Sequence, residues 1–457
     1  MRWLAVSAII FILISTNVHG ILSTDSINYD LLIVAPKRFI HALKPLAEHK
    51  SRHGIRTRIV SIEEVYDQMF WYGRDKAEKL KYFIKFAHER WGIRYVLLVG
   101  GKKHQGRGYW IPVRYSHLCR GYDGMKEGKF LSDLYFADIY DENGNFSSWD
   151  DNGNGIFGEW PENGKALDRP DLHPDVCVGR LPCRNLREVK IVVRKIINYE
   201  NRRWRDREWF KRFVVVAGDT YPDKTDYYDG EVYTQMGIDY MKGFKPIRLW
   251  ASEGNLSWIR VVREINRGCG FIWFSGHGNP ALWTTHPPNS ERWIYGLKLW
   301  HMIFLHNRYR LPICISGSGC FNNMFNVTIF HSEWVYFKGL IPYNIPFCWG
   351  WGLVRNPRGG SIATIASTAF SYESPDINRG EGGIEWLDIH FFETYAKGYD
   401  ILGEVWARTI DAFLDNFTID WDDASEKGSA LIAKNVEEWL LIGDPSLKIG
   451  GYADFSD

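Results

Sequence analysis

Short, mainly apolar runs bounded by glycine, proline or polar turns alternate along this chain with longer amphipathic stretches. No other feature of the sequence restricts the fold as much. A run with few polar members suits a strand covered on both faces, and the amphipathic stretches between such runs suit helices lying over a parallel sheet. Asp30–Ala35, Thr57–Ile62, Arg94–Gly100 and Asp175–Gly179 read as strands of a first unit, with helices over Phe39–Lys50, Asp75–Arg90 and Leu186–Asn201. Arg212–Gly218, Ile247–Trp250, Phe271–Ser275, Ile313–Ser316 and Gly360–Ala366 read as strands of a second. Helices are expected there around 384–396, 401–415 and 429–439, before a closing run Leu440–Ile449. The basic run Arg202-Arg203-Trp204-Arg205 reads as a solvated helix end and connector between the two. The expected architecture is α/β, with two fused subdomains over 21–205 and 206–457, each a mainly parallel sheet flanked by helices.

The 56 basic and 55 acidic side chains leave a net charge of +1, which gives no electrostatic case for nucleic acid or an anionic membrane surface. Arg2, the apolar stretch Trp3–Ile14 and the small residues ending at Gly20 have the layout of a secretory signal over residues 1–20. No later run reaches spanning length, so the expectation is a secreted or extracytoplasmic protein without stable membrane insertion. An odd number of cysteines, seven, leaves at least one thiol unpaired in an oxidising compartment.

Two of the strand runs end in reactive side chains. Phe271–Phe274 breaks into Ser275-Gly276-His277-Gly278, and Ile313–Ser316 into Gly317-Ser318-Gly319-Cys320. A buried strand needs no such polar terminus. Glycines there let the backbone turn sharply and approach a substrate closely. Side by side, the two strands bring an imidazole and a thiol to one sheet edge, as a cysteine nucleophile with His277 as its acid/base requires. The backbone N–H groups of Gly278 and Cys320 are candidate oxyanion donors.

A polar insertion over 131–164, free of Lys and Arg, carries Asp141, Asn143 and Asn145 at alternate positions, then Asp150, Asn152, Asn154 and Glu159. The second group matches the D-x-N-x-N-G spacing of calcium loops, though Pro161 stands where an EF-hand places its glutamate. These seven residues are candidate ligands for a structural calcium ion. A plain Asn-Gly turn cluster is the alternative.

Several ordered segments resemble the gingipain-type cysteine peptidases of the caspase-like clan. In the first half they are Tyr95–Gly100, Ser132–Asp138 and Asp175–Pro182; in the second, Gly276–Trp283, Gly319–Phe325, Ile362–Thr368 and Gly443–Leu447. The resemblance runs from about Asp30 to Ile449. It implies a caspase-like catalytic unit, endopeptidase activity on proteins or peptides through a Cys320 thioester, and His277 as general acid/base. It also implies Asp175 as the acidic partner of the histidine, and bound calcium. Gly319 replaces the usual alanine before the nucleophile, and Pro280 stands where relatives often carry an acid, so basic-residue specificity does not transfer. Ser275, Trp283, Ser371 and Tyr372 are candidates for lining the substrate pocket. Two other functions fit the same fold: a sortase-like transpeptidase, in which an amine resolves the thioester, and a non-catalytic scaffold that binds proteins or glycans.

Overall fold

The computed structural model describes residues 28–119, 127–330, 344–374, 382–425 and 428–452. The expected secretory signal lies outside the described residues. The first half runs β1 (Leu31–Ala35), α1 (Ile40–Arg52), β2 (Thr57–Ser61), α2 (Ile62–Gln68), α3 (Lys76–Trp91) and β3 (Tyr95–Val99). A short antiparallel pair, β4 (Tyr115–Ser116) and β5 (Phe130–Leu131), precedes β6 (Cys177–Leu181) and α4 (Leu186–Glu200). The second half opens with β7 (Arg212–Ala217), α5 (Asp229–Tyr240), β8 (Lys245–Trp250), α6 (Trp258–Arg267) and β9 (Phe271–Phe274). A small antiparallel sheet follows, built from β10 (His277–Asn279), β11 (Leu282–Thr285) and β12 (Ile294–Lys298). The chain then forms β13 (Ile313–Ser316), α7 (Trp349–Val354), β14 (Ala363–Ser367), α8 (Ile384–Ala396), α9 (Leu402–Asn416), α10 (Ser429–Glu438) and β15 (Trp439–Ile442).

Four helix starts follow their capping residues: the side chains of Ser61, Asp75, Asn185 and Ser257 accept the N–H groups of Glu64, Glu78, Glu188 and Arg260. Strands alternate as their residues dictate. Phe271 and Trp273 of β9 enter a core shared by both halves, while Ile272 and Phe274 enter a second one with Val214, Cys314 and Leu297.

Ten strands form one continuous sheet in the order β2-β1-β3-β6-β15-β14-β13-β9-β7-β8. The two expected subdomains thus share a single sheet, and the hinge between them is β15. This strand, from the C-terminal end of the sequence, pairs parallel with β6 of the first half and antiparallel with β14 of the second. Sheet polarity reverses at that one join, so the C-terminal edge of the second half continues into the N-terminal edge of the first. The connector is also less solvated than its charge suggests. Trp204 is buried, and the Arg205 guanidinium pairs with Asp400 and donates to Ile449 O.

Two glycines let β15 fit. A β-carbon on Gly179 of β6 would lie 2.6 Å from Gly443 O, and one on Gly443 would lie 2.6 Å from the β-carbon of Ala363. Gly179→Ala is therefore expected to lower stability by about 1–3 kcal/mol through forced backbone shifts. Denaturant unfolding checks this; an unchanged midpoint would contradict the close packing of β15 on β6.

Candidate active site

β9 and β13 lie side by side and parallel, with Phe271 beside Ile313 and Trp273 beside Ile315, so both end at the same sheet edge. Beyond that edge their loops are bound to each other. Gly276 N–H donates to Ser318 Oγ at 3.1 Å, and Asn322 Nδ2 donates to Asn279 O at 2.8 Å and Leu282 O at 3.1 Å. A β-carbon on Gly278 would come within 2.8 Å of Gly319 Cα. Residues flanking His277 thus touch residues flanking Cys320, which brings the two side chains to a common edge.

The turn that carries the thiol has no slack. A β-carbon on Gly319 would stand 2.4 Å from both Ser316 Oγ and Asn322 Oδ1, so alanine at this position would force a shift. Phe321, directly after the nucleophile, adopts φ +60°, a left-handed conformation that costs a bulky residue about 1–3 kcal/mol. Its buried ring and its N–H bond to Ala369 O at 2.9 Å hold it there. A strained turn of this kind lifts a nucleophile clear of the sheet.

Burial disfavours the charged form of both reactive groups. Burial pushes the His277 imidazole down to about 4 and the Cys320 thiol up to about 11. His277 Nε2 lies 2.8 Å from Thr220 O, so Nε2 carries the proton and Nδ1 keeps the lone pair that accepts one. Cys320 Sγ lies 3.4 Å from Ser371 Oγ, a hydrogen bond that acts against part of the burial effect on the thiol.

The other expected site residues divide. Ser371 meets the thiol, and Tyr372 beside it is pinned through backbone N–H and C=O to the Asn435 amide. Ser275 is buried beneath the loops, and Trp283 is wholly buried behind Gly276 in the second core rather than lining a pocket. Cys320 N–H donates to Ser318 O at 3.0 Å, so the turn itself occupies this expected oxyanion donor. Gly278 sits opposite Trp283 in the β10–β11 ladder. Asp175 is not brought to His277. Strands β15, β14 and β13 stand between β6 and β9, a lateral separation of roughly 19 Å at the usual strand spacing. The Asp175 carboxylate instead accepts Ile139 N–H at 2.6 Å and Tyr140 N–H at 2.9 Å.

The groups around the imidazole come from segments the sequence did not single out. Thr220 supplies the carbonyl, and the rings of Tyr221, His286 and Trp293 lie 5.3, 5.6 and 5.4 Å from His277. Asp219, beside Thr220, accepts Asn289 N–H at 2.7 Å, and burial raises its carboxyl. Thr220 and Tyr221 follow the end of β7 and His286 the end of β11, whereas Trp293 directly precedes β12.

The family model described as "Peptidase family C25" matches residues 24–450. Gingipain R2 of Porphyromonas gingivalis is 21% identical over 433 residues, covering 92% of this chain and 46% of that protein. Gingipain R1 of the same organism is 20% identical, over 92% of this chain and 34% of its own length. The chain thus spans less than half of these curated relatives. A crystal structure of the Arg-specific cysteine proteinase gingipain R superposes with a TM-score of 0.60 at 19% identity, covering 93% of this chain and 79% of that one. The complex of the Porphyromonas gingivalis RgpB pro- and mature domains gives 0.59 at 18% identity, over 92% and 79%. At such identities these superpositions carry the fold alone.

In the acidic insertion the expected calcium ligands are engaged with their own turns. Asp141 accepts the N–H groups of Asn143 and Asn145, and Asp150 those of Asn154 and Gly155. Asn152 Oδ1 accepts Asn154 N–H, Asn154 Oδ1 accepts Ile156 N–H, and Glu159 Oε2 takes Asn154 Nδ2 at 2.7 Å. Asp150 is further paired with the Arg74 guanidinium, and Lys81, buried beside Asp138, reaches Ser147 O. The oxygens close their own turns, and protein cations stand against the buried acids. Among the described residues no three or more His, Cys, Asp or Glu are placed to hold a metal ion. EDTA is expected to shift the thermal midpoint by less than about 2 °C. A fall of about 5 °C or more, reversed by calcium, would contradict the self-closed loops.

Proposed function

Given that the chain belongs to peptidase family C25, we propose that it is an exported cysteine endopeptidase acting through a thioester on Cys320. The contact of Gly276–Asn279 with Ser318–Asn322 is the observation that carries this reading. With both groups neutral, the thiol proton passes to His277 Nδ1 as Sγ forms its bond to the scissile carbonyl carbon. The imidazolium then gives that proton to the leaving nitrogen, the C–N bond breaks, and a thioester remains. Water adds to the thioester carbonyl, losing its proton to the imidazole, and the thiol leaves. Thr220 O holds the ring in one tautomer throughout, and Ser371 orients the sulfur. Export rests on the apolar segment after Arg2, and N-terminal sequencing of the mature protein tests it.

A basic residue before the scissile bond is the finer reading. Glu373 follows the Ser371–Tyr372 wall, and both its carboxylate oxygens are buried without a hydrogen-bond partner, although the Ser318 hydroxyl lies close by. Burial first, and then the nearby charges of Glu385, Asp229 and Asp388, push Glu373 well above the usual carboxylate range. Burial likewise raises Glu385 to about 8, Asp388 to about 7 and Asp229 to about 6. Asp229 accepts Tyr221 N–H, which ties the group to the imidazole side. Such a cluster is relieved by an incoming cation. The Arg-specific gingipain R shares this fold.

Iodoacetamide labelling of Cys320 in the free protein is expected to rise about tenfold per pH unit from pH 7, with no plateau below about pH 9. A plateau from about pH 5 upward would indicate a resting thiolate–imidazolium pair instead. Glu373→Gln is expected to cut kcat/KM for Arg or Lys at P1 by about tenfold or more relative to Ala at P1. Equal loss on all three substrates would remove Glu373 from recognition.

A further inference from the structure

Beside the imidazole, the protein exposes aromatic surface that the chemistry above does not use. Trp293, the last residue before β12, lies 5.4 Å from His277 and packs tilted against the buried His286 at 3.9 Å, yet 47% of it is open to solvent. Tyr221, from the segment after β7, meets His277 edge-on at 5.3 Å and is 44% exposed. Two rings from separate segments therefore converge on one imidazole, each with nearly half its surface in water. Exposed aromatic surface next to a catalytic group is characteristic of binding surfaces rather than of packing.

Their place relative to the reaction identifies the occupant. The thiol's contacts are with Ser371 and Ser318, whereas both rings contact the imidazole. The imidazole delivers its proton to the leaving nitrogen, so the first residue of the leaving peptide must pass over His277. The surface it meets there is built from the Trp293 and Tyr221 rings. We infer that Trp293 and Tyr221 form the S1′ subsite and select a large apolar or aromatic residue immediately after the scissile bond. This inference rests on the peptidase reading of His277 and Cys320 and adds the side chain preferred on the leaving group.

The test is a peptide library randomised at the two positions flanking the scissile bond, with products sequenced by mass spectrometry, followed by kinetics on a matched pair with Phe or Gly at P1′. The wild-type protein is expected to favour Phe, Leu or Trp at P1′. Trp293→Ala is expected to lower the ratio of kcat/KM for the Phe substrate over the Gly substrate by about tenfold, with Trp293→Phe keeping most of it. Tyr221→Ala should lower the same ratio. A role confined to supporting the imidazole would depress both substrates together and leave the ratio unmoved, which would overturn the inference; so would cleavage with a flat P1′ profile. A protein that cleaves no peptide and whose Cys320 resists alkylation would instead overturn the peptidase reading itself.

Discussion

The site depends on one contact: the backbone of Gly278 lying against Gly319, with Gly276 N–H bonded to Ser318 Oγ. Parallel pairing of β9 with β13 delivers two loops to one edge, but pairing alone leaves their tips free to diverge. The absence of two β-carbons lets the loops close to backbone contact, and the Asn322 amide fastens the far side to Asn279 and Leu282. The strain at Phe321 is tolerated because Ala369 O and the surrounding core hold that residue in place. Catalytic geometry here is thus a property of backbone packing, set before any side chain chooses a rotamer.

Around that contact the protein separates its functions by side. On the sulfur side are Ser371 and, following it in the chain, Glu373, one of a group of buried acids that burial holds above the usual carboxylate range. On the imidazole side are Thr220 O, which fixes the tautomer, and the half-exposed rings of Tyr221 and Trp293. Burial disfavours the charged form of both reactive groups, the His277 imidazole and the Cys320 thiol. The continuous sheet supplies the floor, with β15 joining the first half to the second.

Much of this was legible in the residues. The runs ending at His277 and Cys320 are strands, β13 and α8 fall on the expected residues, and the glycines flanking the reactive groups have the close approach their lack of a side chain suggested. What was not legible depends on partners far along the chain. The fusion of two sheets turns on β15 finding β6, a pairing of residues 442 and 180 that no local pattern encodes. Trp283 and Trp293 look alike in sequence; the first sits on the inward face of β11, and the second at the mouth of the loop. An Asx turn and a calcium loop share one set of side chains. Arg74 stands against Asp150 from a distant segment, a partner that the local D-x-N-x-N-G spacing does not encode. Asp175 matched a family position by order, whereas its strand lies four places from β9.

Mass spectrometry of the intact protein, acid-quenched within milliseconds of mixing with a peptide substrate, tests the central claim most directly. The account predicts a transient adduct equal to the N-terminal half of the substrate, mapped to Cys320, labile to hydroxylamine and absent in Cys320→Ala. Turnover without such an adduct, or turnover that survives Cys320→Ala, would contradict it.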